Sequence, residues 1–315
     1  MKKLMIFALG VAAVLASCVK NEVEDISKPE EIAFKSFNLG ESTRADFTHD
    51  YFRAYAQFSN AGDGSDYKNF WGDAAKKIVK KNDAYWAAED GTYYWPKAGK
   101  LSFWGYYFPE DQTSVDLSFE PSNGVKGTGV TAAQAALIML AKPAELKTQN
   151  TVEMLFRHVG SQVIFRFANA SKNDGFALTI TGVEITEAMD KGDFTYTAWS
   201  NYSVETIYTS TQSYAVDKAA IVDAPDAYTF FTLPQALNQS GANKQIVVKY
   251  RVADNNAGYY YDGVYTADAT AWVINTKHYY NITFNFTAGE EIKFAPSVEE
   301  WATSDETDKD FAVNN

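Results

Sequence analysis

The chain has little of what metal centres, disulfides and most catalytic sites are built from. Cys18 is its only cysteine in 315 residues, which excludes a disulfide or a cysteine-ligated metal within one chain. The three histidines, His49, His158 and His278, lie far apart, show no metal-binding spacing, and at positions 158 and 278 fall at strand starts, where an imidazole is ordinarily structural. No G-x-S-x-G elbow, P-loop or dinucleotide fingerprint occurs, so nucleophilic, phosphoryl-transfer and hydride chemistry lack their sequence support. Carboxylates are plentiful without a spacing that marks a glycosidase pair, and "AGDGSDY", with Asp63 and Asp66, lacks the pattern and terminal glutamate of a calcium loop. No enzymatic activity, metal or cofactor is expected. Basic residues are also scarce: 28 Lys and Arg face 40 Asp and Glu, a net charge of −12, which argues against nucleic acid and anionic lipid headgroups as partners. Heptads, low-complexity tracts and internal repeats are missing too.

What is present begins with "MKKLMIFALGVAAVLASC". Lys2 and Lys3 form a positive start, Leu4–Leu15 an apolar run too short to span a bilayer, and Leu15-Ala16-Ser17-Cys18 a small-residue cleavage site. Residues 1–17 thus look like a lipoprotein signal peptide. Such a peptide is cut before the cysteine, leaving Cys18 acylated and the chain anchored in a membrane. The following "VKNEVED", with Glu22, Glu24 and Asp25, resembles the acidic tether that sends some lipoproteins to the outer face; a plain solvated linker is the other reading.

Aromatics make up 15% of the chain, and Tyr and Phe favour the half-buried surface of a sheet. Alternation is clear in "HYYNITFNF", where Tyr280, Ile282, Phe284 and Phe286 share one face. It recurs at Val163, Phe165 and Phe167, at Phe176, Leu178 and Ile180, in "YTFFTL" from Tyr228 and in "QIVVKYRV" from Gln245. Only Thr131–Leu140 reads as a short helix. Many short strands broken by Gly, Asn, Asp and Pro, without long intervening helices, predict an all-β chain of antiparallel sandwiches. The length after residue 17 predicts two of them in tandem, with a seam at the polar "NASKNDG", Asn169–Gly175.

"GTYYWPKAGKLSFWGYYFP" from Gly91 resembles the Tyr-Trp-Pro, spacer, aromatic-Tyr-Pro signature of the fimbrillin family, the type V pilins and their surface lipoprotein relatives. Further landmarks follow in family order: "LFRHVGSQVIFRF" from Leu155, "FTLPQ" from Phe231, "IVVKYRV" from Ile246, "KHYYNITF" with Trp272, and "IKFAPSVEEW" ending at Trp301. "AALIMLAKPAEL" departs from the acidic segment usual in these proteins. The resemblance implies two transthyretin-like sandwiches, divided as a signal peptide (1–17), a tether and leader strand (18–45), an N-terminal sandwich (46–172) and a C-terminal sandwich (173–315).

The resemblance also implies an assembly mechanism. A lipoprotein precursor, anchored through Cys18, reaches the outer membrane surface with a leader strand folded into its first sandwich. A trypsin-like or arginine-specific protease then cuts after an arginine in the loop that follows. The matching bond is Arg44–Ala45, and the leader strand is "EIAFKSFNL", with Ile32, Phe34, Phe37 and Leu39 as its expected core contacts. Four such side chains supply about 6–12 kcal/mol, comparable with a domain's net stability of about 5–15 kcal/mol. The emptied groove takes a donor strand from another fimbrial subunit, for which Ile292, Phe294, Val298 and Trp301 carry the apolar content. The polar tail after Trp301 leaves a stalk role and a tip or accessory role open, and the adhesion receptor is not encoded in any recognisable motif. A surface glycan-binding lipoprotein is the alternative, with Tyr93, Tyr94, Trp95, Trp104, Tyr106 and Tyr107, or Tyr259–Tyr261, as a stacking platform.

Overall fold

The computed structural model describes residues 30–39, 44–61, 66–82, 85–112, 115–121, 123–141, 151–171, 175–216, 222–254, 258–286 and 293–300. Cys18, Ile292 and Trp301 lie outside these residues, as do the side chains of Leu39, Arg44, Ala45, Phe294 and Val298.

The chain is almost wholly β. In order, its strands are β1 (Phe34–Leu39), β2 (Arg44–Asp46), β3 (Tyr51–Ser59), β4 (Lys68–Asn69), β5 (Lys76–Asn82), β6 (Tyr85–Ala88), β7 (Lys100–Tyr107), β8 (Asp116–Glu120), β9 (Gly124–Thr131), β10 (Met139–Ala141), β11 (Val152–His158) and β12 (Ser161–Asn169). There follow β13 (Phe176–Thr186), β14 (Lys191–Phe194), β15 (Trp199–Ser203), β16 (Tyr208–Ser210), β17 (Tyr214–Val216), β18 (Val222–Asp223), β19 (Thr229–Thr232), β20 (Gln245–Asp254), β21 (Tyr259–Asp268), β22 (Thr276–Phe284) and β23 (Lys293–Glu300). One helix, α1 (Ala132–Leu137), joins β9 to β10. Thr131 and Gln134 cap it reciprocally, the Gln134 amide donating to Thr131 Oγ1 and the Thr131 amide to Gln134 Oε1. The helix expected to run to Leu140 stops at Leu137, because Met139–Ala141 extends to pair between β7 and β11.

The first nine-stranded sheet closes on itself. Its path runs β11-β10-β7-β3-β5-β6-β1, and β1 also pairs with β11, completing a ring to which β2 and β4 are attached. Phe52, Phe103, Trp71, Ile78, Leu101, Met154 and Phe156 fill the core inside it. A closed sheet leaves fewer free edges than the open sandwich expected at this place.

The second core lies between two sheets. One holds β18 and β19, β12, β22 and β23; the other holds β16 and β17, β13, β20 and β21. The alternating positions read from the sequence do face this core: Val163, Phe165, Phe167, Ile180, Ile282 and Phe284 are fully buried. Phe284 meets Tyr250 across the gap with ring centroids 4.9 Å apart. Two ladders, β1–β11 and β12–β22, are parallel, where only antiparallel pairing was expected. Each joins segments far apart in sequence, and such a crossover leaves direction free in a way a tight hairpin does not.

A fourth sheet, β15-β14-β9-β8, ties the halves together. Its strands β8 and β9 follow β7 in the chain and pair with each other, β9 pairs with β14, and the chain returns through α1 to β10. The expected boundary at 172/173 therefore differs from the seam in the pairing. β12 precedes that boundary yet pairs only with later strands, and Val125 and Val130 pack in the second core. The polar "NASKNDG" segment that suggested the division begins at the last residue of β12 and leads to β13, both in the second half.

Candidate functional site

The groove that holds β1 is the feature on which the first sheet depends. On one side β1 runs parallel to β11, with Phe34, Ser36 and Asn38 level with Val152, Met154 and Phe156. On the other it meets β6 at Phe34↔Trp86 and β2 from Phe37 to Leu39. The backbone ahead of the strand is held too: the Ile32 amide donates to the Tyr93 carbonyl at 2.8 Å, and the Trp95 amide donates to Glu30 at 3.0 Å. Withdrawing β1 would therefore expose two edges at once, on β11 and on β6.

Ile32 and Phe34 are 2% and 1% exposed. The Phe34 ring stands edge-on to Phe103 at 5.2 Å and to Phe52 at 5.8 Å, and meets Trp71 at 6.5 Å. Phe37 does not join them. It is half-buried, and Ser36 and Asn38, 8% and 3% exposed, take the next inward places. Side chains along a strand alternate between faces, so Phe37 cannot share a face with Ile32 and Phe34. Of the expected core contacts Ile32 and Phe34 are buried, and the buried positions that follow them are Ser36 and Asn38 in place of Phe37. Below them Phe47, just past β2, stacks on Phe156 at 4.4 Å and meets Trp86 edge-on at 5.9 Å; the sequence reading missed it.

Arg44 was expected in a loop. It opens β2 instead, paired to Leu39, with Ala45 opposite Asn38. β2 has three residues and among the described residues pairs with β1 alone, so the Arg44–Ala45 bond lies in an outermost strand of the first sheet. At the other end of the chain, β23 pairs with β22 as the edge of its sheet, setting Phe294 opposite Ile282 and Val298 opposite His278.

The aromatics considered as a stacking platform are mostly engaged inside the protein. Trp95 is buried and edge-on to Phe103. Trp104 meets Tyr196 at 5.4 Å, on the joint between the halves where Tyr55 also stacks on Phe119 at 4.2 Å. Burial pushes the Tyr106 hydroxyl up to about 12. Tyr107 stacks on His49 at 3.7 Å, and Tyr93 meets Trp71 at 5.3 Å. Of these six only Tyr94 is exposed, and Tyr260 projects separately over Arg251.

His158 closes β11 and His278 lies within β22, where strand starts were expected, and both rings are buried. His158 is buried, with Nδ1 3.0 Å from the Ala136 carbonyl. The His278 Nε2 accepts from the Val273 amide at 3.1 Å. Burial holds them down, at about 3 and about 4 respectively. Asp66 accepts from Ser59 Oγ at 2.5 Å and from the Asn60 amide at 3.0 Å, bracing a turn. Among the described residues no cluster of three His, Cys, Asp or Glu could hold a metal ion, and no helix is long and apolar enough to cross a membrane.

The sequence profile of the fimbrillin-like family matches residues 43–301. The chain belongs to the fimbrillin-like family. Its fold is similar to that of a fimbrial protein from Bacteroides vulgatus, with a TM-score of 0.61 and 15% identity over 86% of this chain and 99% of that one. A protein from Bacteroides uniformis assigned to cell adhesion gives a TM-score of 0.50 and 17% identity, over 86% and 99% of the two chains. No curated protein matches. At such identities the two structures speak for the fold alone, and the function rests on the family.

Proposed function

We propose that this fimbrillin-like chain is a structural, non-enzymatic fimbrial subunit, carried to the outer membrane surface as a lipoprotein anchored through Cys18. It is activated by cleavage after Arg44 and assembled by donor-strand exchange for cell adhesion. The observation that carries this reading is that β1 closes the first sheet while the strand after it, β2, pairs among the described residues only with β1. One cut at Arg44 separates the closing strand from the rest of the chain. The family match begins at residue 43, one residue before that arginine.

Magnitudes support it. Ile32 and Phe34 together contribute about 3–6 kcal/mol of burial, half the sum expected from four apolar side chains. That is still a large share of a net stability of about 5–15 kcal/mol. A first sheet without β1 would present Val152, Met154, Phe156, Phe52 and Phe103 along an open slot with unpaired backbone on either side, which favours strand addition. Supplied in trans, the strand makes a head-to-tail contact that does not close and so grows a polymer.

Mass spectrometry of protein extracted from the cell surface tests the processing. The amino terminus is expected at Ala45 in polymer, with a lipidated Cys18 form as precursor. Surface protein retaining only the lipidated terminus, with no heat-labile ladder on a denaturing gel, would refute the reading.

A further inference from the structure

β21 (Tyr259–Asp268) ends its sheet. It pairs with β20 over ten residues without a register shift, and among the described residues no strand pairs on its other side. Native edge strands are usually kept short, or blunted by lysine, proline or a bulge, because their free N–H and C=O groups template further pairing. Other edges among the described residues are short or interrupted: β16 and β17 have three residues each, β8 and β15 have five, and β23 carries Pro296. β21, "YYYDGVYTAD", has no lysine, no proline and no bulge.

The ladder determines which backbone groups face outward. The Ala269 amide donates to the Lys244 carbonyl just beyond the strand's end, and bonding alternates along an antiparallel pair. Odd-numbered residues of β21 therefore bond to β20, and Tyr260, Asp262, Val264, Thr266 and Asp268 turn their N–H and C=O groups to the free side. The side chains of the same residues are exposed, Val264 at 63% and Tyr260 at 61%. Asp262 accepts from Arg251 Nε and Nη2 at 2.7 and 3.0 Å, which balances its charge.

This set of residues is its own complement. Turned antiparallel about a twofold axis at Val264, it lays Val264 on Val264, Asp262 on Thr266 and Tyr260 on Asp268 of a second copy, and every outward amide and carbonyl finds a partner. An axis at residue 265 would set Asp262 against Asp268, and one at 262 would set Asp262 against itself. An axis at 263 would leave Asp268 opposite Gly258, outside the strand.

We propose that β21 pairs antiparallel with β21 of a second copy of this chain, centred on Val264, joining two β13-β20-β21 sheets into one. The contact is isologous and closes after two chains. It links subunits side by side, leaves the β1 groove of the first sheet untouched and does not depend on donor-strand exchange.

The test uses the full chain with Arg44→Gln, which removes the activating cleavage site, in sedimentation equilibrium over a concentration series. A concentration-dependent dimer is expected, and hydrogen exchange at the Asp262, Val264 and Thr266 amides should slow as it forms. Val264→Pro removes only an outward N–H, so it should weaken the dimer about tenfold or more and leave the melting temperature of the monomer nearly unchanged. Two lysine variants check the register. Val264→Lys meets its own copy and should weaken the dimer about tenfold, whereas Thr266→Lys meets Asp262 and should tighten it about threefold. A chain monomeric at every concentration, a dimer indifferent to Val264→Pro, or equal weakening by both lysine variants would overturn the proposal. Protection of the same amides in the monomer would overturn it too, by showing that another segment of the chain covers the edge. None of these outcomes bears on leader exchange, which the Arg44→Gln chain does not undergo.

Discussion

Leu39 and Arg44 are partners in the antiparallel pair β1–β2. Cleavage after Arg44 therefore asks a protease to peel a three-residue strand held along one edge, a local opening that costs far less than unfolding the sheet. Low-dose trypsin on purified precursor is expected to give one early cut, at Arg44–Ala45, ahead of the many other Lys and Arg bonds. Arg44→Gln should abolish that product and leave later fragments unchanged. An early pattern spread over several sites would count against activation here.

Phe34 and Phe37 give a paired test of which face of β1 is inward. Phe34→Ala removes a ring packed against Phe52, Phe103 and Trp71 and should destabilise the uncleaved protein by about 3–5 kcal/mol. Phe37→Ala, at a half-buried position, should cost under about 1.5 kcal/mol. Urea unfolding followed by tryptophan fluorescence would measure both; equal losses would contradict the assigned alternation.

These two phenylalanines also show how far the sequence could be read. Long alternating runs such as Tyr280–Phe286 announced the second core, because both neighbouring strands demand the same period. In "EIAFKSFNL" apolar character alone pointed to Phe37, while strict alternation from Ile32 and Phe34 leads to Ser36 and Asn38. The parity signal was there and was outweighed by hydrophobicity. Other features had no local signal. The parallel pairing of β1 with β11, the closure it produces, and the passage of β8 and β9 into the second half depend on contacts between distant segments. Phe47 was hidden for the same reason, since nothing near it in sequence reveals that Phe156 lies beneath.

Gly124 holds the joint between the halves. Its φ of +75° lies in the left-handed region, and a Cβ there would stand 2.2 Å from the Trp104 ring, which packs on Phe119 and Tyr196. Gly124→Ala combines backbone strain with displacement of that ring and should cost about 2–3 kcal/mol. The expected signature in calorimetry is a lowered transition together with a change in tryptophan emission from Trp104. Unchanged melting would show that the joint adapts freely.

Acid should weaken the protein through two buried imidazoles. His158, held at about 3 mainly by burial, and His278, held at about 4 by burial with Lys244 adding to it, stay neutral in the folded state. In the unfolded chain each has its ordinary value of about 6.5. Below that pH the unfolded state takes up protons that the folded state refuses. Stability is thus full above about 6.5 and falls as the pH drops, until the folded imidazoles themselves protonate near 4 and 3. Each histidine contributes a slope of up to about 1.4 kcal/mol per pH unit. Urea midpoints between pH 7 and 5, where most carboxylates remain ionised, isolate this effect from theirs. His158→Gln and His278→Gln should each lower stability at pH 7 and remove about half of the acid-dependent loss; a parent protein equally stable at pH 7 and pH 5 would show that burial does not hold these two rings neutral.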